Sequence, residues 1–262
     1  MRKNTDFTDV TEFPGEMVTQ QQINRFIQRY FWAAEYCRGN TVLEIACGAG
    51  PGLPLISSYA NLVYALDIDK RLLSVARKHN PNVIFVNADI DSYEFGKSIF
   101  DVIMIHEAIY YFKNLIDLLG KLKQALRTGG SILISSVNPC TPGFNKSQFS
   151  TNYFDIDSYI NIANRLDMDI TIYGGFELAL LSKNLSNRFR QNLKALAVSC
   201  GLIPKSMRGK RILKRIFFGG LKKMPVLDSV GDYINLYQAP QKIRKNNELE
   251  YEILYIKLTL RS

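Results

Sequence analysis

Apolar and polar positions divide this chain into short strands and longer helical stretches. From residue 41 onward, apolar runs without strict alternation are separated by segments in which apolar residues recur with helical spacing. The runs predict strands over 41–46, 61–67, 82–88, 100–106, 130–137, 169–176 and 251–260. Strands that are apolar throughout and are joined by helices indicate a parallel sheet covered on both faces.

The helical stretches carry their own start and stop signals. Thr19 is followed three residues later by Gln22, a capping-box pattern, and an apolar stripe then predicts a helix over 19–38. Asp69 is the predicted N-cap of a helix over 70–79. Further helices are predicted over 52–59, 115–127 and 155–166.

The strands over 169–176 and 251–260 are predicted to form an antiparallel hairpin at the sheet edge. The stretch between them is too long for a hairpin loop, so it needs structure of its own; two amphipathic patterns there, "SNRFRQNLKALAVSC" and "SMRGKRILKRIFF", predict helices.

The predicted fold is α/β: a Rossmann-like, seven-stranded, mostly parallel sheet with helices on both faces, an antiparallel C-terminal hairpin and a helical insertion before the last strand. The predicted parts are an arm and capping helix (1–40), a core (41–176), a basic, mainly helical insertion serving as a substrate cap (177–249) and the last strand (250–262).

Charge changes this picture in one segment. The chain of 262 residues has a net charge of +9, yet positions 178–227 contain no Asp or Glu and carry twelve Lys or Arg residues. Such an asymmetry suggests an anionic partner. Four interpretations stay open: a solvated face, a site for an anionic acceptor such as a nucleotide-sugar or glycan phosphate, contact of residues 205–223 with an anionic membrane surface, and RNA binding.

Composition restricts the compartment and the metal chemistry. The N-terminus lacks an apolar signal segment, and no apolar run is long enough to span a bilayer. The four cysteines show no CxxC pairing and the only histidines are His79 and His106, which argues against a Cys/His metal site. We therefore expect a reduced, cytoplasmic protein, either free or peripheral at the inner face of the membrane, with no metal; nothing indicates its oligomeric state.

The turn in "VLEIACGAGPG" (42–52) raises the question of the ligand. From Gly48 the chain reads G-A-G-P-G-L, so Leu53 stands where a dinucleotide loop has its third glycine. Pro51 removes a backbone N–H near the start of the next helix, where a pyrophosphate would bind, and no GK[ST] follows. The loop suits a ligand that approaches the backbone closely but carries no phosphate.

Glu44 is a carboxylate within an apolar strand. A buried carboxylate needs a partner, and two candidates are open: a lysine or arginine of the fold, or a cationic ligand. S-adenosylmethionine (SAM), which has a sulfonium, an ammonium and no phosphate, is such a ligand.

The motifs of residues 41–137 resemble those of the class I SAM-dependent methyltransferases. "VLEIACGAG" resembles motif I, with Ala46 in place of its first glycine; "FDVIMIHEAIYYF" resembles motif IV, and "LRTGGSILIS" the helix–turn–strand that follows. The resemblance implies SAM as cofactor, Asp67 on the ribose hydroxyls, Asp89 on the adenine, and Ile68 and Ile90 against the adenine faces. The other cofactor-binding residues that it implies are Glu44, Ala46, Gly48, Gly50 and His106.

The resemblance also places His106 and Glu107 beside the methyl group. A hydroxyl acceptor needs a base, and either residue is a candidate, although His106 packing on the cofactor without proton transfer is an equal alternative. Tyr110 and Tyr111 are predicted to contact the acceptor. Tyr30 or Arg29 is predicted to reach the methionine carboxylate; the alternative is a helix docked by its apolar stripe with Arg29 in solvent.

"TEFPGE", "RYFWAAEYC", "HEAIYYF" and "SVNP" resemble bacterial methyltransferases that accompany genes for surface polysaccharide assembly. This resemblance implies O-methylation of a saccharide, a glycan precursor or a related small molecule. The alternatives are an RNA methyltransferase that uses the basic segment, methylation of a lipid, quinone-like or natural-product acceptor at a membrane surface, and a non-catalytic binding module.

Overall fold

The computed structural model describes residues 10–142, 144–147, 149–178, 220–243 and 249–261. Ten strands are described: β1 Met17–Val18, β2 Thr41–Ile45, β3 Leu62–Asp67, β4 Ile84–Asn87, β5 Phe100–His106, β6 Leu126–Val137, β7 Met168–Glu177, β8 Lys222–Lys223, β9 Gln241–Lys242 and β10 Tyr251–Leu260. The described α-helices are α1 Gln20–Cys37, α2 Leu53–Tyr59, α3 Lys70–His79, α4 Leu115–Ala125, α5 Ile156–Arg165 and a single turn, α6 Val230–Tyr233; 3₁₀ turns span Ile109–Tyr111 and Ile234–Leu236.

Eight of the strands form the central sheet, in the order β4-β3-β2-β5-β6-β10-β7-β9. Strands β4, β3, β2, β5 and β6 are parallel, whereas β10 runs antiparallel to both β6 and β7. The predicted mostly parallel sheet with an antiparallel C-terminal hairpin is confirmed. The short strand β9, which pairs with β7 at the edge, was not predicted because two residues leave no periodicity to detect.

Both faces of the sheet are covered, as the apolar strands predict. Along β5 the side chains alternate between two cores: Ile103 and Ile105 belong to one, Val102 and Met104 to the other. The first core also receives α4 and α5, and the second receives α1 and α2. This arrangement explains why β5 reads as continuously apolar rather than alternating.

The helices begin where their caps predict. Thr19 and Gln22 form the reciprocal capping box at the start of α1, and Asp69 accepts a hydrogen bond from the Arg71 amide at the start of α3. Helix α4 ends at Ala125, two residues before the predicted end, because Leu126 already pairs with Phe100 in the sheet. The capping residues therefore predicted the helix starts more accurately than the apolar spacing predicted the end of α4.

The arm before α1 is attached to the chain after the basic segment. Strand β1 pairs with β8, the Gly15 amide donates to the Met224 carbonyl (2.8 Å), and the Met224 amide donates to the Glu16 carbonyl (2.7 Å). The two helices predicted within 179–219 lie outside the described residues, as does most of the membrane-contact segment 205–223. Within the described part of the chain, no helix is long and apolar enough to cross a membrane.

Candidate functional site

A cavity of about 400 Å³ opens at the carboxyl ends of β2, β3 and β5. In open α/β sheets this edge is where ligands bind. Its wall contains all but one of the predicted site residues: Tyr30, Glu44, Ala46, Gly48, Asp67, Ile68, Asp89, Ile90, His106, Glu107, Tyr110 and Tyr111. The three strand ends thus bring together residues that are far apart in sequence.

Gly50 is the predicted site residue that does not line the cavity. Its φ is +64°, and a Cβ there would lie 2.8 Å from Leu53 Cδ1 and 3.0 Å from Ala76 Cβ. The Asn80 side chain donates to its carbonyl oxygen (3.1 Å). Gly50 lets α3 approach the loop from behind, which is a packing role; its predicted contact with the cofactor is not supported by this position.

Ala46 also sits in the left-handed region, with φ +56°. Ala46 stands in place of the first glycine of the motif, and the two residues are not equivalent for the backbone. An L-residue in this region is strained by about 1–2 kcal/mol, whereas glycine is not. The loop therefore has a backbone conformation at position 46 that strains alanine and that glycine would favour.

Gly52 is a loop residue whose role the sequence did not reveal. A Cβ at Gly52 would lie 2.3 Å from atoms of the Tyr30 ring, so only glycine lets that ring pack on the turn. Tyr30 is buried, and its ring also meets His106 edge-on with centroids 5.1 Å apart. The Tyr30 hydroxyl donates a 2.6 Å hydrogen bond to Oε1 of Glu44. The glycine therefore positions the partner of the strand carboxylate.

Glu44 is 1% exposed, and its second oxygen, Oε2, is buried with no hydrogen-bond partner. Burial raises the pKa of Glu44 to about 7, against the opposing effects of the Tyr30 hydrogen bond and the charge of Arg29. Among the described residues no lysine or arginine forms an ion pair with it, so the partner from the fold is a tyrosine. The unpartnered oxygen is the feature that a cationic ligand group would satisfy.

Asp67, at the end of β3, anchors the glycine loop. Its Oδ2 accepts from the Gly48 amide and its Oδ1 from the Asp69 amide, both at 2.8 Å. Burial raises the pKa of Asp67, and these amide hydrogen bonds oppose the shift. Each carboxylate oxygen has a second lone pair, so two further donors can be accepted.

Ile68 and Ile90 are apolar residues at the cavity wall beside two acids. Ile68 is 42% exposed although it is a large aliphatic residue, whereas Ile90 is 7% exposed. Asp89 also lines the cavity, and its Oδ1 accepts from the Asp91 amide (3.1 Å). An exposed aliphatic surface inside a cavity is suited to covering a flat apolar ligand.

His106, the last residue of β5, is buried, and its Nδ1 lies 3.0 Å from the Ser135 hydroxyl oxygen. Its Nε2 is buried without a partner. Burial, together with the charge of Arg29, lowers the pKa of His106 to about 3. The ring is neutral at neutral pH, with one nitrogen fixed by Ser135 and the other available in the cavity.

Glu107 follows immediately, in a left-handed conformation with φ +50°. Burial raises its pKa, and the charges of Arg29 and Arg25 act in the opposite direction. The Tyr110 hydroxyl donates to Glu107 Oε2 (3.2 Å). A bulky residue held in this sparsely populated region is typical of a functional site, and Glu107 lines the cavity.

The tyrosines after β5 form an aromatic cluster. Tyr110 stacks on Tyr153 with ring centroids 4.6 Å apart, and Tyr111 lies edge-on to Tyr110 at 4.7 Å. The Tyr111 hydroxyl is 2.9 Å from Ser147 Oγ. These contacts fix both rings in the cavity wall, where they were predicted to contact the acceptor.

The N-terminal arm reaches the cavity, which the sequence did not predict. Val10, Thr11 and Glu12 line it, and Glu12 forms an ion pair with Arg29 of α1. Arg29 is 7% exposed, so the alternative that placed it in solvent is wrong. Arg25, one turn earlier, also lines the cavity and pairs with Glu252. The sequence did contain a signal for this: Arg25 and Arg29 are four positions apart, so they lie on the same face of the predicted helix.

Within the residues that the structure describes, no three His, Cys, Asp or Glu side chains are arranged to hold a metal ion.

Comparison with known proteins gives the cavity its context. Residues 43–134 match the family described as methyltransferase domain. This segment is therefore similar to methyltransferase domains. A similar curated protein is the "probable S-adenosylmethionine-dependent methyltransferase" of Mycolicibacterium smegmatis, 29% identical over 108 residues, which are 41% of this chain and 42% of that protein. The chain thus matches less than half the length of this curated relative.

Solved structures of methyltransferases share the fold of this chain over almost its whole length. The SAM-dependent methyltransferase of Thermotoga maritima, described as a possible histamine N-methyltransferase, superposes with a TM-score of 0.57 at 11% identity, covering 92% of each chain. The plantazolicin methyltransferase in complex with SAH gives 0.55 at 17% identity, covering 93% of this chain and 86% of that one. The fold is the Rossmann-like fold of these methyltransferases, and SAM is the cofactor named for the curated relative and for the Thermotoga maritima structure.

The residues around the cavity fit SAM. Glu44 offers an unpartnered buried oxygen for the ammonium, and Asp67 keeps two free lone pairs for the ribose hydroxyls. Ile68 and Ile90 supply an apolar surface beside Asp89 for the adenine. The wall of the loop is backbone and small side chains, which allows close approach without a phosphate-binding helix end.

Proposed function

We propose that this chain transfers a methyl group from SAM to a hydroxyl group of a small polyhydroxylated acceptor, a saccharide or glycan precursor, with Glu107 as the general base. The observation that carries the proposal is the position of Glu107. Its carboxylate lies in the cavity wall directly after β5, with a raised pKa and a hydrogen bond from Tyr110.

Glu107 is the better base of the two candidates. A general base is most effective when its pKa lies near the working pH, and burial moves the pKa of Glu107 upward, towards that value. The pKa of His106 is lowered to about 3, so the imidazolium that proton transfer would create is strongly disfavoured there. We assign His106 instead to orienting the acceptor through Nε2, with the opposite nitrogen held by Ser135.

The cavity lining combines aromatic rings with charged and amide groups. Tyr110, Tyr111 and Phe112 line it, as do Gln22 and Arg25. Such a surface suits a ring with several hydroxyl groups, which is apolar on its faces and polar at its edges. A cavity of about 400 Å³ lies within the range of small-molecule sites, roughly 300–1,000 Å³.

SAM supplies the activated methyl group, so the chain itself has three tasks. It holds the acceptor in line, takes up the hydroxyl proton and keeps water out of the site. Glu107 receives the proton at its carboxylate, and Tyr110 holds that carboxylate by its hydrogen bond. The rings of Tyr110, Tyr111 and Phe112 line the cavity and limit the access of water to the reacting groups.

The test is methyl transfer from SAM carrying a ¹³C-labelled methyl group to a panel of nucleotide-sugars and, separately, to total RNA. We expect an O-methyl carbon signal on a sugar. Glu107→Gln should lower turnover by roughly 10²- to 10⁴-fold with the affinity for SAM retained. Glu94→Gln is the matched control, since Glu94 is 87% exposed and lies outside the cavity. Labelling of RNA alone, or full turnover in Glu107→Gln, would contradict the proposal.

A further inference from the structure

We propose that the carboxylate of Glu12 occupies the position on Arg29 that the carboxylate of SAM takes up, so the N-terminal arm competes with the cofactor and has to release Arg29 when SAM binds. This inference rests on the proposed binding of SAM in the cavity. It assigns to the arm a role that lies outside the matched methyltransferase segment, which begins at residue 43.

Arg29 is built as a carboxylate-binding residue. It is 93% buried in the cavity wall, its guanidinium lies 5.2 Å from the Phe26 ring centroid and 5.5 Å from that of Tyr30, and its ion pair is with Glu12. Its Nε is buried without a partner. A buried guanidinium held between two rings has little freedom to follow a ligand, so the ligand carboxylate must come to it.

Glu44 and Arg29 together match an amino-acid group. Both line the cavity and both contact Tyr30: the Arg29 guanidinium lies 5.5 Å from the Tyr30 ring centroid, and the Tyr30 hydroxyl donates to Glu44 Oε1 (2.6 Å). An ammonium and a carboxylate on one carbon atom place opposite charges at a similarly short separation. The amino-acid end of SAM would therefore put its ammonium at Glu44 Oε2 and its carboxylate at Arg29.

Glu12 is in conflict with that arrangement. Its carboxylate lines the cavity and is already paired with the Arg29 guanidinium, the group that the ligand carboxylate would need. A second carboxylate brought to Arg29 would repel the Glu12 carboxylate at short range. The Glu12 side chain is 31% exposed, so it can leave towards solvent, whereas the buried Arg29 cannot.

The arm has a pivot that permits this release. Residues 15–18 are fixed by the backbone hydrogen bonds to Met224 and by the pairing of β1 with β8. Gly15 has φ +77° and no atom within 4 Å of its missing Cβ position, and the turn around it is closed by a hydrogen bond from the Glu16 amide to the Phe13 carbonyl (3.1 Å), which the release would break. The chain before it, including Thr11 against Gly48 and Glu12 against Arg29, can swing as a unit.

The binding test uses Glu12→Gln, with Glu16→Gln as the matched control in the same arm; Glu16 is exposed and does not line the cavity. Calorimetric titrations with SAH and with 5′-methylthioadenosine, which lacks the amino-acid group, separate the two ends of the cofactor. We expect Glu12→Gln to bind SAH about tenfold more tightly, with unchanged affinity for methylthioadenosine and no change in Glu16→Gln. Unchanged or weaker SAH binding in a folded Glu12→Gln protein would overturn the inference.

The wild-type protein gives an independent readout. Amide hydrogen exchange of residues 10–14 should become faster when SAH is added, while exchange in β2 and β3 becomes slower. Slower exchange of 10–14 with SAH would mean that the arm closes over the cofactor, which contradicts release. If SAH and methylthioadenosine both fail to bind the wild-type protein, the proposed function fails as well; if both bind and the arm does not respond, only the present inference is overturned.

Discussion

The hydroxyl of Tyr30, on α1, donates a 2.6 Å hydrogen bond to Oε1 of Glu44, on β2. Fourteen positions separate the two residues in sequence, and both are buried. The contact joins a helix outside the matched methyltransferase segment to the first acidic residue of that segment. It leaves Oε2 of Glu44 as the unpartnered atom, and so fixes which oxygen is available to a ligand.

Removing this hydroxyl should weaken the binding of SAM. Tyr30→Phe takes away a hydrogen bond that lowers the pKa of Glu44, so a larger fraction of Glu44 is protonated at pH 7. We expect about a tenfold weaker affinity for SAM by calorimetry at pH 7. Tyr36→Phe makes the same change on the same helix, where the hydroxyl lies 3.2 Å from that of Tyr173, and should leave the affinity unchanged. Equal losses in both variants would assign the effect to the helix rather than to Glu44.

The affinity for SAM should depend on pH through Glu44. Its pKa is raised to about 7, so the carboxylate is ionised above that value and neutral below it. Because the ammonium of SAM binds the ionised form, affinity should fall as pH drops from 7 to 5, by up to roughly tenfold per unit. Titrations at pH 5, 6 and 7 in Glu44→Gln should show weak binding with a much flatter profile. A wild-type affinity that is constant from pH 5 to 7 would contradict this role.

Gly52 should tolerate no side chain. Gly52→Ala places a Cβ 2.3 Å from the Tyr30 ring, which must move and lose its bond to Glu44. We expect a loss of about 1–3 kcal/mol in the free energy of unfolding, measured with urea, together with weaker SAM binding. Gly120→Ala is the matched control. Gly120 lies within α4, and a Cβ there would be 3.8 Å from the Leu166 side chain, an ordinary contact distance. That variant should be more stable by about 0.5–1 kcal/mol.

Replacing Ala46 by glycine should stabilise the folded protein. Its φ of +56° is a region where an L-residue is strained and glycine is not. Ala46→Gly should raise the free energy of unfolding by about 1 kcal/mol. Ala60, with φ −83°, is the comparison position, and Ala60→Gly should lower it by about 0.5 kcal/mol. A destabilised Ala46→Gly protein would mean that the loop adopts another conformation.

The sequence predicted the sheet, α1 with its cap and the strand-end acids because each rests on local signals. Apolar runs, a capping box and an acidic residue after a strand are all readable within a few positions. Gly52 and Glu12 were missed for a different reason: their roles depend on tertiary neighbours, the Tyr30 ring and the Arg29 guanidinium. Gly50 was predicted to contact the cofactor, and the packing of α3 against it could not be foreseen, because the motif does not say which glycine faces the ligand and which faces α3.

Calorimetric titration of the protein with SAM and with NAD, in the wild type and in Asp67→Asn, tests the central claim most directly. Asp67 holds the Gly48 amide and keeps lone pairs free in the cavity, whereas Asp69→Asn changes an acid that caps α3 outside it. We predict that the wild type and Asp69→Asn bind SAM and not NAD, and that Asp67→Asn binds SAM at least about tenfold more weakly. Binding of NAD without binding of SAM by the wild-type protein would contradict the account.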